Sequence, residues 1–309
     1  MNKICGFGEE KNEKREEEKM RKIYIFGSIN TDLVISSPYV PKSGETVTGG
    51  DFFIAGGGKG ANQAVAATRL GGNVKFCGAV GNDGFGNDCL NAFKKENIDV
   101  SCVRAIDGVP TGVAVIGVAG GDNRIILDKG ANAKLCFADA DKFLKEAEAG
   151  DVFLTQLENP VDVVGYALQK AKEKGMFTVL NPAPANKEIC KYFAFVDLIT
   201  PNESELELFG GKGELFSCGV KKIVTTLGSK GYEIADEAGA KVYPCVKVSA
   251  VDTTAAGDTL CGGLVVGIAS GKTLEEACAF GSKAASIACT RKGAQPSIPT
   301  VKEVEDFKG

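Results

Sequence analysis

The chain lacks histidine and tryptophan entirely across its 309 residues. Without an imidazole there is no Ser-His-Asp triad, no Cys-His pair, no His-ligated zinc or haem and no HExxH protease. Any general base must be Asp, Glu, Lys, Tyr or a thiolate. An excess of one charge sign is also missing: 36 Lys plus Arg against 40 Asp plus Glu leave a net charge of −4. That balance argues against bulk electrostatic binding to nucleic acid or to an anionic membrane. No run approaches the ~18 apolar residues of a membrane span, and the first residues carry no apolar core of a secretory signal. The eleven cysteines include no CxxC pair. Reduced, mostly buried thiols in a cytoplasmic protein are therefore expected.

What is present in excess is glycine, 40 of 309 residues, about 13% against a usual ~7%. Without collagen periodicity, that excess signals tight turns and backbone that comes close to something. Residues 9–22 carry mixed charge and almost no apolar face, so residues 1–20 are expected to be a solvated, disordered extension. From Lys22 onward, short apolar runs alternate with longer amphipathic ones. Strands are expected at 22–26, 74–80, 151–154, 177–180, 196–199 and 223–226. Helices are expected at 59–70, 85–96, 161–174, 203–209, 256–270 and 274–290. This rhythm reads as an α/β fold with a mostly parallel central sheet and helices on both faces. Segments 33–54 and 103–128 break it with period-two pieces and no helix, which suggests a small β-sheet lid beside the main body.

Four motifs carry candidate chemistry. Ala55–Asn62 reads AGGGKGAN and opens a helix of small residues. It is neither a Walker A loop nor a GxGxxG fingerprint. Its glycines allow close backbone approach to a ligand, or simply tight packing. Asp252–Thr259 reads DTTAAGDT, a helix start whose free N–H groups form an anion hole. Asp258 in its first turn is either a helix cap or a general base for an alcohol that attacks phosphorus. Thr226–Gly231, TLGSKG after a strand, suits phosphate or ribose contact, and a hairpin turn explains it equally well. Asn181 in NPAP and the pair Asn202 and Glu205 in TPNESE follow strands, where open α/β sheets place their sites. Asn202 and Glu205 fit either helix capping or a Mg²⁺–phosphate cluster.

Taken with GSINTD, PKSGETVTGGDFF, QLENP and TRKGAQPS, these segments make the sequence resemble the ribokinase family of carbohydrate kinases, from about Arg21 to Lys308. The resemblance implies ATP-dependent phosphorylation of D-ribose at its 5-hydroxyl. Another small sugar or nucleoside (deoxyribose, fructose, adenosine) is the alternative substrate, and a non-catalytic sugar-binding protein the alternative class. By resemblance, Asn30, Asp32, Gly58, Lys59, Asn62 and Glu158 would grip the sugar. Asp258 would be the base, and the amides of Ala255, Ala256 and Gly257 the anion hole. Asn202, Thr226, Leu227, Gly228, Ser229, Lys230, Gly231, Gly257 and Ser282 would line the nucleotide site. Ser282 stands where relatives can place a histidine near the adenine.

Further implications concern ions and assembly. Glu205 would orient Mg²⁺ through water. Asp252, Ser297 and the carbonyls of Thr254, Ala288, Arg291 and Gly293 would hold a monovalent cation, normally K⁺. The lid, from about 31–56 and 103–129, would cover the sugar and pair across a two-fold axis as a homodimer. Cys89, Cys261 and Cys289 are expected to be packing residues.

Overall fold

The computed structural model describes residues 20–120 and 122–308. The charged extension expected to be disordered lies, up to residue 19, outside the described residues. In chain order the elements are β1 (Ile23–Phe26), β2 (Asn30–Ser36), β3 (Gly50–Gly57), α1 (Lys59–Arg69), β4 (Val74–Gly81), α2 (Gly84–Lys95), β5 (Asp99–Ile106), β6 (Gly112–Ala119), β7 (Asp122–Asp128), α3 (Phe137–Leu144) and β8 (Val152–Thr155). They continue with α4 (Val161–Glu173), β9 (Phe177–Leu180), β10 (Leu198–Ile199), α5 (Glu203–Leu208), α6 (Gly211–Ser217), β11 (Lys222–Thr226), β12 (Tyr232–Asp236), β13 (Gly239–Tyr243), α7 (Ala256–Ala269), α8 (Leu274–Ala288) and α9 (Val301–Asp306).

The expected strands assemble into a nine-stranded sheet in the order β13-β12-β11-β10-β9-β8-β1-β4-β5. It is parallel except for the antiparallel run β11–β12–β13. At its centre, β1 shows why these runs are apolar throughout. Ile23 and Ile25 join one core cluster and Tyr24 and Phe26 the other, and all four are 0% exposed. A strand covered by helices on both faces needs this. α1, α7 and α8 cover one face; α3 and α4 cover the other. The small residues of α7 serve close packing: a Cβ on Gly263 would sit 2.6 Å from Gly281 Cα on α8.

A separate four-stranded sheet, β3-β2-β6-β7, corresponds to the small sheet expected as a lid. Here the structure corrects the sequence reading. Residues 103–106 belong to β5, which pairs in parallel with β4 at the edge of the large sheet. The second lid segment therefore begins at Gly112. Helix α2 carries the chain across to a parallel neighbour of β4, as the crossover of a βαβ unit does. The strand expected at 196–199 also shrinks to Leu198–Ile199, because Lys187–Phe195 winds as a 3₁₀ helix that ends at Val196.

Candidate active site

The loops after β1, β8, β9, β10 and β11 emerge on one edge of the large sheet. They meet the starts of α1 and α7 there, at the carboxyl ends of the strands where open α/β sheets place their sites. Asp258, in the first turn of α7, is 6% exposed. It does not cap its own helix. Its Oδ2 accepts from Asn62 Nδ2 at 2.9 Å and its Oδ1 from Gln63 Nε2 at 2.9 Å, both on α1. Burial pushes the Asp258 carboxyl up, and Lys59, Asn62 and Gln63 pull against that without cancelling it. The result is a proton acceptor better than an ordinary carboxylate.

The start of α7 has no side-chain cap at Ala255. Its first i→i−4 bond runs from Thr259 N to Ala255 O at 2.8 Å, so the preceding amides have no intrahelical partner. Of the three amides expected in the anion hole, that of Ala256 is engaged within the turn, donating to the Thr253 carbonyl at 3.1 Å.

On the lid side, β2 carries Asn30 and Asp32 into the cleft. Asn30 pairs with Gly57 and Asp32 with Ala55 on β3. Asn30 Oδ1 accepts from Asn132 Nδ2 at 2.8 Å. Asp32 is 9% exposed, and burial first, then Glu158 and Asp258, push its carboxyl up to about 6. Its carboxyl fills the space beside Gly57, diagonal to it on β3: a Cβ on Gly57 would lie 2.2 Å from Asp32 Oδ1. Glu158 Oε2 accepts from Ser28 Oγ and from Lys59 N at 3.0 Å, so it tethers the start of α1 rather than capping α4. Burial works against the Lys59 ammonium, but Asp258, Glu158 and Glu205 hold its pKa above the ordinary value. Of the residues expected to grip the sugar, Asp32, Lys59, Asn62 and Glu158 thus converge electrostatically on Asp258.

Beyond α7 lies a cavity of about 620 Å³. Of the residues expected at a nucleotide site, Thr226, Gly228, Ser229, Gly231, Gly257 and Ser282 line it. Leu227, Lys230 and Asn202 are not on its wall. Asn202 and Glu205 instead form a reciprocal capping box at the start of α5, with Glu205 N donating to Asn202 Oδ1 at 2.8 Å and Asn202 N to Glu205 Oε2 at 2.9 Å. Sequence reasoning missed much of the wall: Cys245–Val248 and Ala250 from an irregular segment, Ala285 and Ser286 from α8, and Cys289 just past its end. The α8 stripe was readable, because 282, 285, 286 and 289 follow helical spacing. The 245–250 segment has no period to read. Cys289 is half-exposed on this wall rather than mere packing. Cys89 and Cys261 are buried against the hydroxyls of Thr31 and Thr200.

Of the residues expected to hold a monovalent cation, Asp252, Thr254 and Gly293 are joined by hydrogen bonds. Val251 N and Asp252 N both donate to the Cys289 carbonyl, at 2.7 and 3.2 Å. Asp252 Oδ2 accepts from Gly293 N at 2.9 Å, and Oδ1 from Thr254 N at 2.9 Å and from Thr254 Oγ1. Burial pushes the Asp252 carboxyl up, but these donors outweigh it and hold the group below the ordinary carboxylate value. Arg291 turns its guanidinium away to Glu303 at 2.6 Å. Ser297 Oγ donates to the Ala294 carbonyl at 2.8 Å. A residue that sequence reasoning missed, Arg69, ties this segment to α1: it bonds the carbonyls of Gln295 and Ile298 at 2.7 and 2.9 Å and forks onto Glu96.

A buried carboxylate flanked by the small sheet and a cavity of about 620 Å³, beside an uncapped helix start, is an arrangement suited to group transfer. The family model of pfkB family carbohydrate kinases matches residues 20–301, and the chain belongs to that family. It is 42% identical over 306 residues to ribokinase of Haemophilus influenzae, covering 93% of this chain and 99% of that one. A solved ribokinase structure from Thermotoga maritima superposes with a TM-score of 0.82 at 36% identity, covering 92% of this chain and 98% of that one. The ribokinase of Arabidopsis thaliana complexed with ribose and ATP superposes with a TM-score of 0.83 at 29% identity, covering 93% and 99%. The chain is thus a carbohydrate kinase of the ribokinase-like fold.

Proposed function

We propose that this chain transfers the γ-phosphoryl group of ATP to the 5-hydroxyl of D-ribose, giving ribose 5-phosphate and ADP. One observation carries the reading: the start of α7 is shared, with Gly257 on the wall of the large cavity and Asp258 turned to the lidded cleft. The ring hydroxyls face Asn30, Asp32, Gly58, Lys59 and Glu158. Asp258 accepts the proton of the primary hydroxyl as its oxygen bonds to phosphorus. The bond from the γ-phosphorus to the bridging oxygen breaks, and ADP leaves with the electron pair. Free amides at the α7 start and Lys59 stabilise the charge on the transferring group. The lid excludes water, which protects the phosphoryl group from hydrolysis.

Two ions belong to this reading. Mg²⁺ would arrive on the nucleotide phosphates, with Glu205 holding its water, and would neutralise phosphate charge. K⁺ suits Asp252, Ser297 and the carbonyls of Thr254, Ala288, Arg291 and Gly293. The donors are all oxygen and include a carboxylate kept ionised by Thr254 and Gly293. Such an ion would order the loop that precedes the anion hole. Cytoplasmic placement is supported by the free thiol state of every cysteine among the described residues. Among those residues no helix is long and apolar enough to cross a membrane. Homodimerisation through the lid is supported by its exposed Phe52, Ile54, Ile125 and Ile126.

A kinetic panel of ribose, deoxyribose, fructose and adenosine with MgATP tests the substrate. Absence of a preference for ribose overturns that assignment, and sugar binding without turnover of any substrate returns the chain to the sugar-binding class. Asp258→Asn should lower kcat at least ~10²-fold with a modest change in sugar affinity. Equal rates in potassium and sodium-only buffers would remove the K⁺ role. Light scattering tests the dimer.

A further inference from the structure

Three side-chain amides with no part in that mechanism meet behind Asp258: Gln63 on α1, Gln156 after β8 and Asn181 after β9. Gln63 and Gln156 are 0% exposed and Asn181 is 9% exposed. Gln63 Nε2 donates to Asp258 Oδ1 at 2.9 Å and to Asn181 Oδ1 at 3.2 Å. Gln156 Nε2 donates to Gln63 Oε1. Asn181 Nδ2 donates to the main-chain carbonyl of Thr200, just after β10, at 3.0 Å.

The direction of every bond is forced from one end. A main-chain carbonyl only accepts, so Asn181 must turn its NH₂ to Thr200. Its Oδ1 then faces Gln63, which must answer with its own NH₂. That same NH₂ reaches Asp258. A flipped Gln63 would set its oxygen against two other oxygens and its NH₂ against that of Gln156, leaving several buried groups unpaired. The orientation of the sheet's main chain is thus transmitted to the carboxylate through two amides.

We propose that Gln63 is a positioning residue for phosphoryl transfer, keyed through Asn181 by the Thr200 carbonyl, which holds the Asp258 carboxylate in one orientation and as an acceptor only. The inference rests on Asp258 acting as the base. A neutral amide suits the task, because a cation in its place would weaken the base it aligns. The other ionisable groups acting on Asp258 are Lys59 from α1, Glu158 after β8, Asp32 from β2 and Cys261 on its own helix. None of them bonds Oδ1.

The test is steady-state kinetics of the full chain with ribose and MgATP across pH 5–9, for Gln63→Leu and for the isosteric Gln63→Glu. Gln63→Leu should lose about 10- to 100-fold in kcat, with the sugar KM within about twofold of wild type. Its acidic limb should move up by about one pH unit, because one hydrogen bond to the ionised form is gone. Gln63→Glu should move the limb further in the same direction by facing Asp258 with a second carboxylate. A merely structural role would lower stability and leave the limb in place. A variant that melts like wild type with an unshifted limb and unchanged kcat overturns the proposal. If neither variant folds, side-chain amide NMR of the wild-type chain decides: the Gln63 NH₂ resonances must titrate with Asp258, and a flat response overturns the inference. Full turnover in Asp258→Asn would instead overturn the base assignment itself, whatever Gln63 does.

Discussion

Lowering the pH from 7 to 5 should weaken ribose binding about tenfold, through Asp32. Its carboxyl is displaced from 3.8 to about 6, first by burial at 9% exposure and then by Glu158 and Asp258. A displacement of that size is worth about 3 kcal/mol against the ionised form. In the proposed site the ionised form would accept the sugar hydroxyls. At pH 5 about a tenth of the free protein carries it, so apparent affinity falls about one decade per pH unit below 6 and levels off above. The sign for stability is opposite. With the folded pKa above the unfolded one, the contribution of Asp32 to the free protein is fully present below 3.8 and is lost as pH rises through 6. Ribose restores donors to the carboxylate, so its thermal stabilisation should be larger at pH 7.5 than at pH 5. Isothermal titration with ribose alone, without nucleotide, reads the effect free of phosphate titration. The chain contains no histidine to confuse that range. Asp258 is also displaced upward, so Asp32→Asn is the deciding control. A flat affinity from pH 5 to 7.5, or a break that survives Asp32→Asn, would refute the reasoning.

Two further outcomes follow from the geometry. Gly57→Ala places a Cβ 2.2–2.3 Å from the Asp32 carboxyl atoms; a short buried side chain must rotate away, so the sugar KM should rise about 10- to 100-fold with little change in the KM for ATP. Cys245 and Cys289 share the wall of the large cavity, so MgATP should protect both from alkylation while ribose alone should not, as read by peptide mass spectrometry.

The α/β rhythm was legible because strands such as β1 are buried on both faces and must be apolar throughout. β5 was misread because it is an edge strand. Its half-exposed alternation, with Asp99, Ser101 and Arg104 among its residues, looks like that of a lid strand. α3 and α6, of eight and seven residues, are too short to display a helical period. Within the site, glycines and carboxylates announced themselves because close approach and charge need particular residue types. The contact of Gln63 with Asn181, 118 positions apart, had no such mark. Amide orientation is a property of the folded network, and nothing in the spacing of 63, 156 and 181 encodes it.

The lid is not hinged on a separate linker. β2 follows β1 after only three residues and carries Asn30 and Asp32, while β3 runs through Gly57 directly into Lys59 and α1. In the proposed site the same two strands would both cover the sugar and hold it. Any displacement of this small sheet would therefore carry Asn30 and Asp32 with it, so in the proposed site cover and grip would move as one body.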